Sequence, residues 1–165
     1  MKKTIWLISL LWILIVSWCG KSLDVVEYND SLVEVVKECL DSSQSLYQDF
    51  NAEWSTIESM IQSLQDSIDI CDKSNAKASK LWDYEKDSSL KDAVVVLLTT
   101  ETEYLKKFSS TSRYRNMENL SDEDRNAYDS VVNELSEMQD SLSQQFAVLQ
   151  ETQKEFAEKH DLSLE

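Results

Sequence analysis

The chain has 165 residues, one glycine, no proline and a formal net charge of −15 at pH 7. Tight hairpins, phosphate-binding loops and dinucleotide folds need residues that tolerate positive φ or fix φ, and this chain has almost none to build them with. What remains is one domain of helices joined by short polar loops, with a surface that repels nucleic acid and anionic headgroups.

Lys2 and Lys3 form a basic start, and Ile5 to Val16 is a twelve-residue run, apolar except for Ser9. A spanning helix needs roughly 20 apolar residues, so the run has the length of a signal-peptide core instead. It closes in Val16-Ser17-Trp18-Cys19-Gly20, which resembles the lipobox of bacterial lipoproteins. That resemblance implies that Cys19 is acylated and becomes the first mature residue. Residues 1–18 are then a signal peptide, 19–23 the lipidated cysteine and a short tether, and 24–165 a helical bundle domain, exported and facing the periplasm or cell exterior. The alternative is a plain secretory signal or an uncleaved anchor with an incidental cysteine. Loss of Lys2 and Lys3 leaves the mature part at −17.

Trp18 departs from the lipobox pattern, where a small residue belongs. Some bacterial lineages read UGA as glycine, and a conventional translation prints tryptophan there. With five Trp and one Gly, Trp18, Trp54 and Trp82 all stand where glycine is natural: in the lipobox, before a helix start and after a helix end. The other reading keeps Trp54 and Trp82 as ordinary bundle aromatics.

Four segments of the mature part show helical periodicity. Val25, Leu32, Val36, Cys39, Ser43, Leu46 and Phe50 form the first stripe. Ile57, Ile61, Leu64, Ile68, Cys71, Asn75, Ala78 and Trp82 form the second, with Asn75 as its polar member. Leu90, Val94, Leu97, Leu98, Leu105 and Phe108 form the third, in a helix expected to run to about Met117. Tyr128, Val131, Leu135, Met138, Leu142, Leu149 and Phe156 form the fourth. One-sided stripes bury against each other, so the fold expected is an all-α, up-and-down bundle of three to four antiparallel helices, tethered to the membrane at its N-terminus. Val94 to Leu98 is apolar all round for more than a turn, which predicts either burial on every side or a patch that meets a partner.

Local signals mark the boundaries. Ser55-Thr-Ile-Glu58 reads as a capping box, Ser121-Asp-Glu-Asp124 as a similar start with a shorter acid, and Asp87, Ser88 or Ser89 as the cap before Leu90. Asn29 or Asp30 is the expected cap of the first helix. The weakest boundary lies near Asn51 to Trp54, where the first two helices run on as one if Trp54 is not a breaker.

Few residues point to chemistry. Cys39 and Cys71 lie on the stripes of neighbouring segments and fall within about one helical turn of level in an antiparallel pair. Outside the cytoplasm they form a disulfide; otherwise they are two small buried hydrophobes. His160 is the only histidine, and a structural zinc wants four ligands. The Glu-x-x-His pairs of di-iron bundles are missing, and His160 reads as a solvated or helix-end residue. Asp66, Asp69 and Asp72, with Glu101 and Glu103, read as solvated faces, because calcium loops are non-helical and paired glycosidase acids need a cleft. Catalytic residues, metal and cofactor are therefore expected to be absent.

Tyr28-Asn29-Asp30-Ser31-Leu32-Val33, Trp82, Asp87-Ser-Ser-Leu90-Lys-Asp-Ala93, Ser121-Asp-Glu-Asp124 and Phe156-Ala-Glu-Lys-His160 together resemble a loosely defined group of small helical bacterial surface lipoproteins of unknown role. The resemblance implies an all-α, membrane-tethered protein and transfers no functional residue. The function expected is a non-enzymatic lipoprotein, held to the bilayer by acylated Cys19, whose bundle binds an envelope or host protein. The alternative is a structural spacer or self-associating periplasmic assembly factor. One exposed apolar patch favours the first, matching patches on two faces the second, and only a deep cleft lined by paired acids favours an enzyme.

Overall fold

The computed structural model describes residues 24–51, 56–114 and 121–163. They form four α-helices: α1, Val25–Asn51; α2, Ile57–Lys80; α3, Ser89–Ser109; and α4, Asp122–Lys159. A 3₁₀ turn, Ser110–Tyr114, follows α3.

The helix starts follow side-chain chemistry, in places one step away from expectation. Asp24, not Asn29 or Asp30, caps α1: its carboxylate accepts the Glu27 amide at 2.9 Å. Val25 and Tyr28 belong to the buried stripe, so the helix starts at the acid that precedes them. At α2 the cap is Thr56 rather than Ser55, with the Ser59 amide donating to its hydroxyl at 3.1 Å. Ser121 caps α4 as expected. It accepts the Asp124 amide at 3.1 Å and donates its hydroxyl to the Asp124 carboxylate at 2.6 Å. Before α3, Ser88 flanks the helix without a side-chain cap bond, and Asp87 accepts both the amide and the hydroxyl of Ser89.

The third helix ends at Ser109, well short of Met117. Ser109, Ser110, Thr111 and Ser112 each donate a hydroxyl to the carbonyl three residues back. Such local bonds compete with the α ladder and favour the tighter 3₁₀ turn that follows.

The helices pack up-down-up-down. Cys39 bridges Cys71, Lys77 pairs with Glu38, and Ser42 bonds Ser67 at 3.0 Å, which folds α1 and α2 into an antiparallel hairpin and excludes one continuous helix. Lys106 with Asp72 and Asn75 with Thr99 join α2 to α3. Lys107 with Glu134 joins α3 to α4, and Lys159 with Asp87 joins α4 to the turn that precedes α3. α3 also touches α1, so α1, α2 and α3 make a three-helix unit on which α4 lies. At 38 residues α4 is about 57 Å long and overshoots α3. Its first turns pass the 3₁₀ turn, where the Tyr114 and Tyr128 rings sit 5.4 Å apart.

Most of the described residues in the first three predicted stripes are buried, and three of the seven in the fourth, Leu135, Leu149 and Phe156. The exceptions have positional causes. Ile61 is half exposed near the start of α2, and Trp82 is 85% exposed just past its end. Trp82 does not have positive φ, so the backbone there does not demand glycine, and no core contact holds its indole. In the Val94–Leu98 run, Val94, Leu97 and Leu98 are buried but Val96 is half exposed, because α3 has helices on three sides and solvent on the fourth. Along α4, Val131, Met138 and Leu142 are only partly buried, since this helix has one full neighbour. Among the described residues no helix is long and apolar enough to cross a membrane.

Candidate functional site

Three regions carry more than scaffold chemistry: the cysteine pair, the end of the bundle where α1 begins, and the channel between α1 and α4. Cys19, its tether, Trp18 and Trp54 lie outside the described residues.

Cys39 and Cys71 form a disulfide, S–S 2.03 Å with Cα atoms 4.6 Å apart. Both stripe positions face the interior, and both residues are fully buried between α1 and α2. The bridge closes a loop of 32 residues of sequence separation, covering the weakest predicted boundary.

At the end where α1 starts, α2 passes to α3 and α4 finishes. Tyr84-Glu85-Lys86-Asp87 makes a tight turn in which the Asp87 amide donates to the Tyr84 carbonyl at 2.7 Å. With no glycine to hand, Glu85 and Lys86 both take positive φ, 49° and 69°. The turn is held by its surroundings. The Tyr84 ring packs on Tyr28 (5.5 Å) and edge-on to Phe156 (5.8 Å) and His160 (4.9 Å). Lys91 pairs with Asp83, and Lys159 reaches Asp87 at 2.6 Å. The Lys159 ammonium and the Ser89 hydroxyl and amide hold the Asp87 carboxyl far below the usual carboxylate range. Burial, reinforced by the charge of Asp83, pushes the Tyr28 phenol up to about 12.

His160 is a helix-end residue, as one reading expected, but it is not solvated. It caps α4, its side chain is largely buried against Phe156 (4.5 Å), and its Nδ1 lies 3.9 Å from the Glu85 carboxylate. Its role is packing. Among the described residues no group of three or more His, Cys, Asp or Glu is placed to hold a metal ion.

The acids divide. Asp66 and Asp69 accept from Gln62 and Gln65 one turn back, Asp72 pairs with Lys106, and Glu103 is exposed, all on solvated faces. Glu101 departs from expectation: it is 7% exposed, inside the bundle. Burial pushes its carboxyl above the usual range, and the nearby Ser43 hydroxyl only partly offsets this. The stripe steps Leu97, Glu101, Leu105 in fours, a signal present in the sequence that places this acid on the buried face.

The channel is the one feature no sequence pattern singled out. α1 and α4 touch where the Gln153 side chain donates to Asn29 at 3.1 Å and Tyr28 meets Phe156 at 5.7 Å. Beyond that point they leave a groove of about 300 Å³ above α3. Leu90 and Val94 form its floor, and Leu32, Val36 and Leu149 its lower walls. Val33 (44% exposed) and Phe146 (39% exposed) stand on its two lips. Gln150, Gln153, Asn29, Lys37 and Asp41 complete the edge. Such a groove can hold an apolar surface and bond its polar margin.

Compared with protein-family models, with curated proteins and with solved structures, the chain matches none.

Proposed function

We propose that this chain is an exported bacterial lipoprotein, anchored to the bilayer by acyl groups on Cys19, whose helical bundle binds an envelope or host protein without catalysing a reaction. The observation that carries the reading is the Cys39–Cys71 bridge at the centre of the bundle. Disulfides persist in secreted and periplasmic proteins and are reduced in the cytosol of most organisms. A buried disulfide therefore agrees with the basic and apolar leader that precedes Cys19. Four residues separate Cys19 from Asp24, the cap of α1, so the Tyr84–Asp87 turn and the end of α4 face the bilayer at short range.

Binding rather than catalysis is favoured by the apolar groove with amide edges. Self-association is the weaker alternative, because copies carrying −17 each repel one another. Metabolic labelling with an alkyne fatty acid tests the anchor. The wild-type chain is expected to take up label and Cys19→Ser to take up none. An unlabelled wild-type chain, or equal labelling of the two, overturns the reading.

A further inference from the structure

The acidic charge of this protein is not spread evenly. α1 carries six acids and one base, and α4 ten acids and three bases. α2 has four acids and three bases, and α3 three of each. Nearly all of the net helical negative charge thus lies on the two helices that wall the groove; on α4 seven of the ten acids precede Phe146, and Glu151 and Glu155 flank the groove stretch, while the groove floor and lips are apolar. On α1 three exposed acids stand directly after groove residues: Asp30 after Asn29, Glu34 after Val33, and Asp41, itself on the groove edge, after Leu40. On α4, Glu151 follows Gln150 in the same way.

From this we infer that the groove between α1 and α4 is the binding site for a short basic amphipathic helix presented by a partner protein. From Asn29 to Asp41 the groove runs about 18 Å, room for three turns of helix bearing apolar side chains at i, i+3 or i+4, and i+7. The apolar face of that helix covers Val33 and Phe146, and its lysines or arginines lie over the acids of the outer faces. The same charge that attracts such a helix rejects a second copy of this chain and an anionic membrane. The inference names the partner for the binding role proposed above and rests on it.

The test uses the full-length chain in phosphatidylcholine nanodiscs, with empty nanodiscs as blank. The probe is a labelled leucine–lysine peptide of about 15 residues with leucines at helical spacing, read by fluorescence anisotropy. Its twin has glutamate in place of lysine. Saturable binding of one lysine peptide per chain is expected, weakening as salt rises, with the glutamate twin at least about a hundredfold weaker. The double variant V33S/F146S is expected to bind about tenfold less tightly, while I61S/V148S, equally exposed but off the groove, keeps wild-type affinity. The variant D41K/E151K reverses charge on the groove edge and beside it, leaves the apolar lining intact, and is expected to weaken the lysine peptide and strengthen its twin. Equal binding of the two peptides, indifference to V33S/F146S and D41K/E151K, no saturable binding, or a dimer that V33S/F146S disperses would each overturn the inference. The anchor is read separately: peptide binding by an unacylated chain removes the tether but not the groove, and an acylated chain that ignores the peptide does the reverse.

Discussion

Glu101 shows what one buried charge does to this bundle. Burial raises its folded pKa above the ordinary glutamate value of 4.5, so the folded chain holds that proton more tightly than the unfolded chain. Its effect on stability is most favourable below the unfolded value and is lost as pH rises through the window up to the raised folded value. Glu101→Gln is expected to raise the urea midpoint at neutral pH and to change little near pH 4. A midpoint that falls at pH 7 would show the carboxylate to be better satisfied than its burial implies. Asp87 and Glu38 act in the opposite sense. Lys159 lowers the first and Lys77 the second through side-chain hydrogen bonds, so their contributions hold above the unfolded values and fade as pH drops through the folded ones. At the Tyr84–Asp87 turn, Lys86→Gly relieves a left-handed backbone, and a gain of roughly 0.5–1 kcal/mol is expected in chemical denaturation. The burial of Glu101 was legible in its four-residue steps from Leu97 and to Leu105; the fate of His160 was not. Its partners Tyr84 and Glu85 lie far away in sequence and meet it only through the packing of α4 on α3.

At the scale of the helix, the stripes predicted the elements well because each buried face repeats at helical spacing. Boundaries shifted where a competing side chain capped one residue away, as Thr56 does beside Ser55, or where hydroxyls drew the backbone into a 3₁₀ turn, as at Ser109 to Ser112. The Ser121 cap is expected to contribute about 1 kcal/mol, lost in Ser121→Ala and read as a lower thermal midpoint with unchanged helix content at low temperature. The α1–α2 hairpin depends more on its bridge. Closing a loop of this separation stabilises by about 2–4 kcal/mol through the unfolded chain. The double variant Cys39→Ser with Cys71→Ser is expected to lose that amount, and addition of a thiol reductant to change the wild-type stability but not that of the double variant.

For the whole molecule, the up-down-up-down order followed from four one-sided stripes and short polar connections, and the cysteine register from the hairpin they imply. The groove did not follow. Periodicity tells which face of α1 and of α4 is apolar, but not that α4 rests on α3 and stands off from α1. Half-buried Val131, Met138 and Leu142 are the consequence of that placement. Charge segregation was open to inspection in the sequence and acquires meaning only once α1 and α4 are known to wall one channel. Whether the chain is an acylated, disulfide-bridged, exported bundle can be read from the intact mass, with peptide mapping, of native protein from the membrane fraction of its source. A chain that begins at an acylated Cys19 and is two hydrogens lighter elsewhere is expected, its peptides also reporting whether positions 54 and 82 carry tryptophan or glycine. An unacylated chain, or one that retains Met1, would remove the lipoprotein reading.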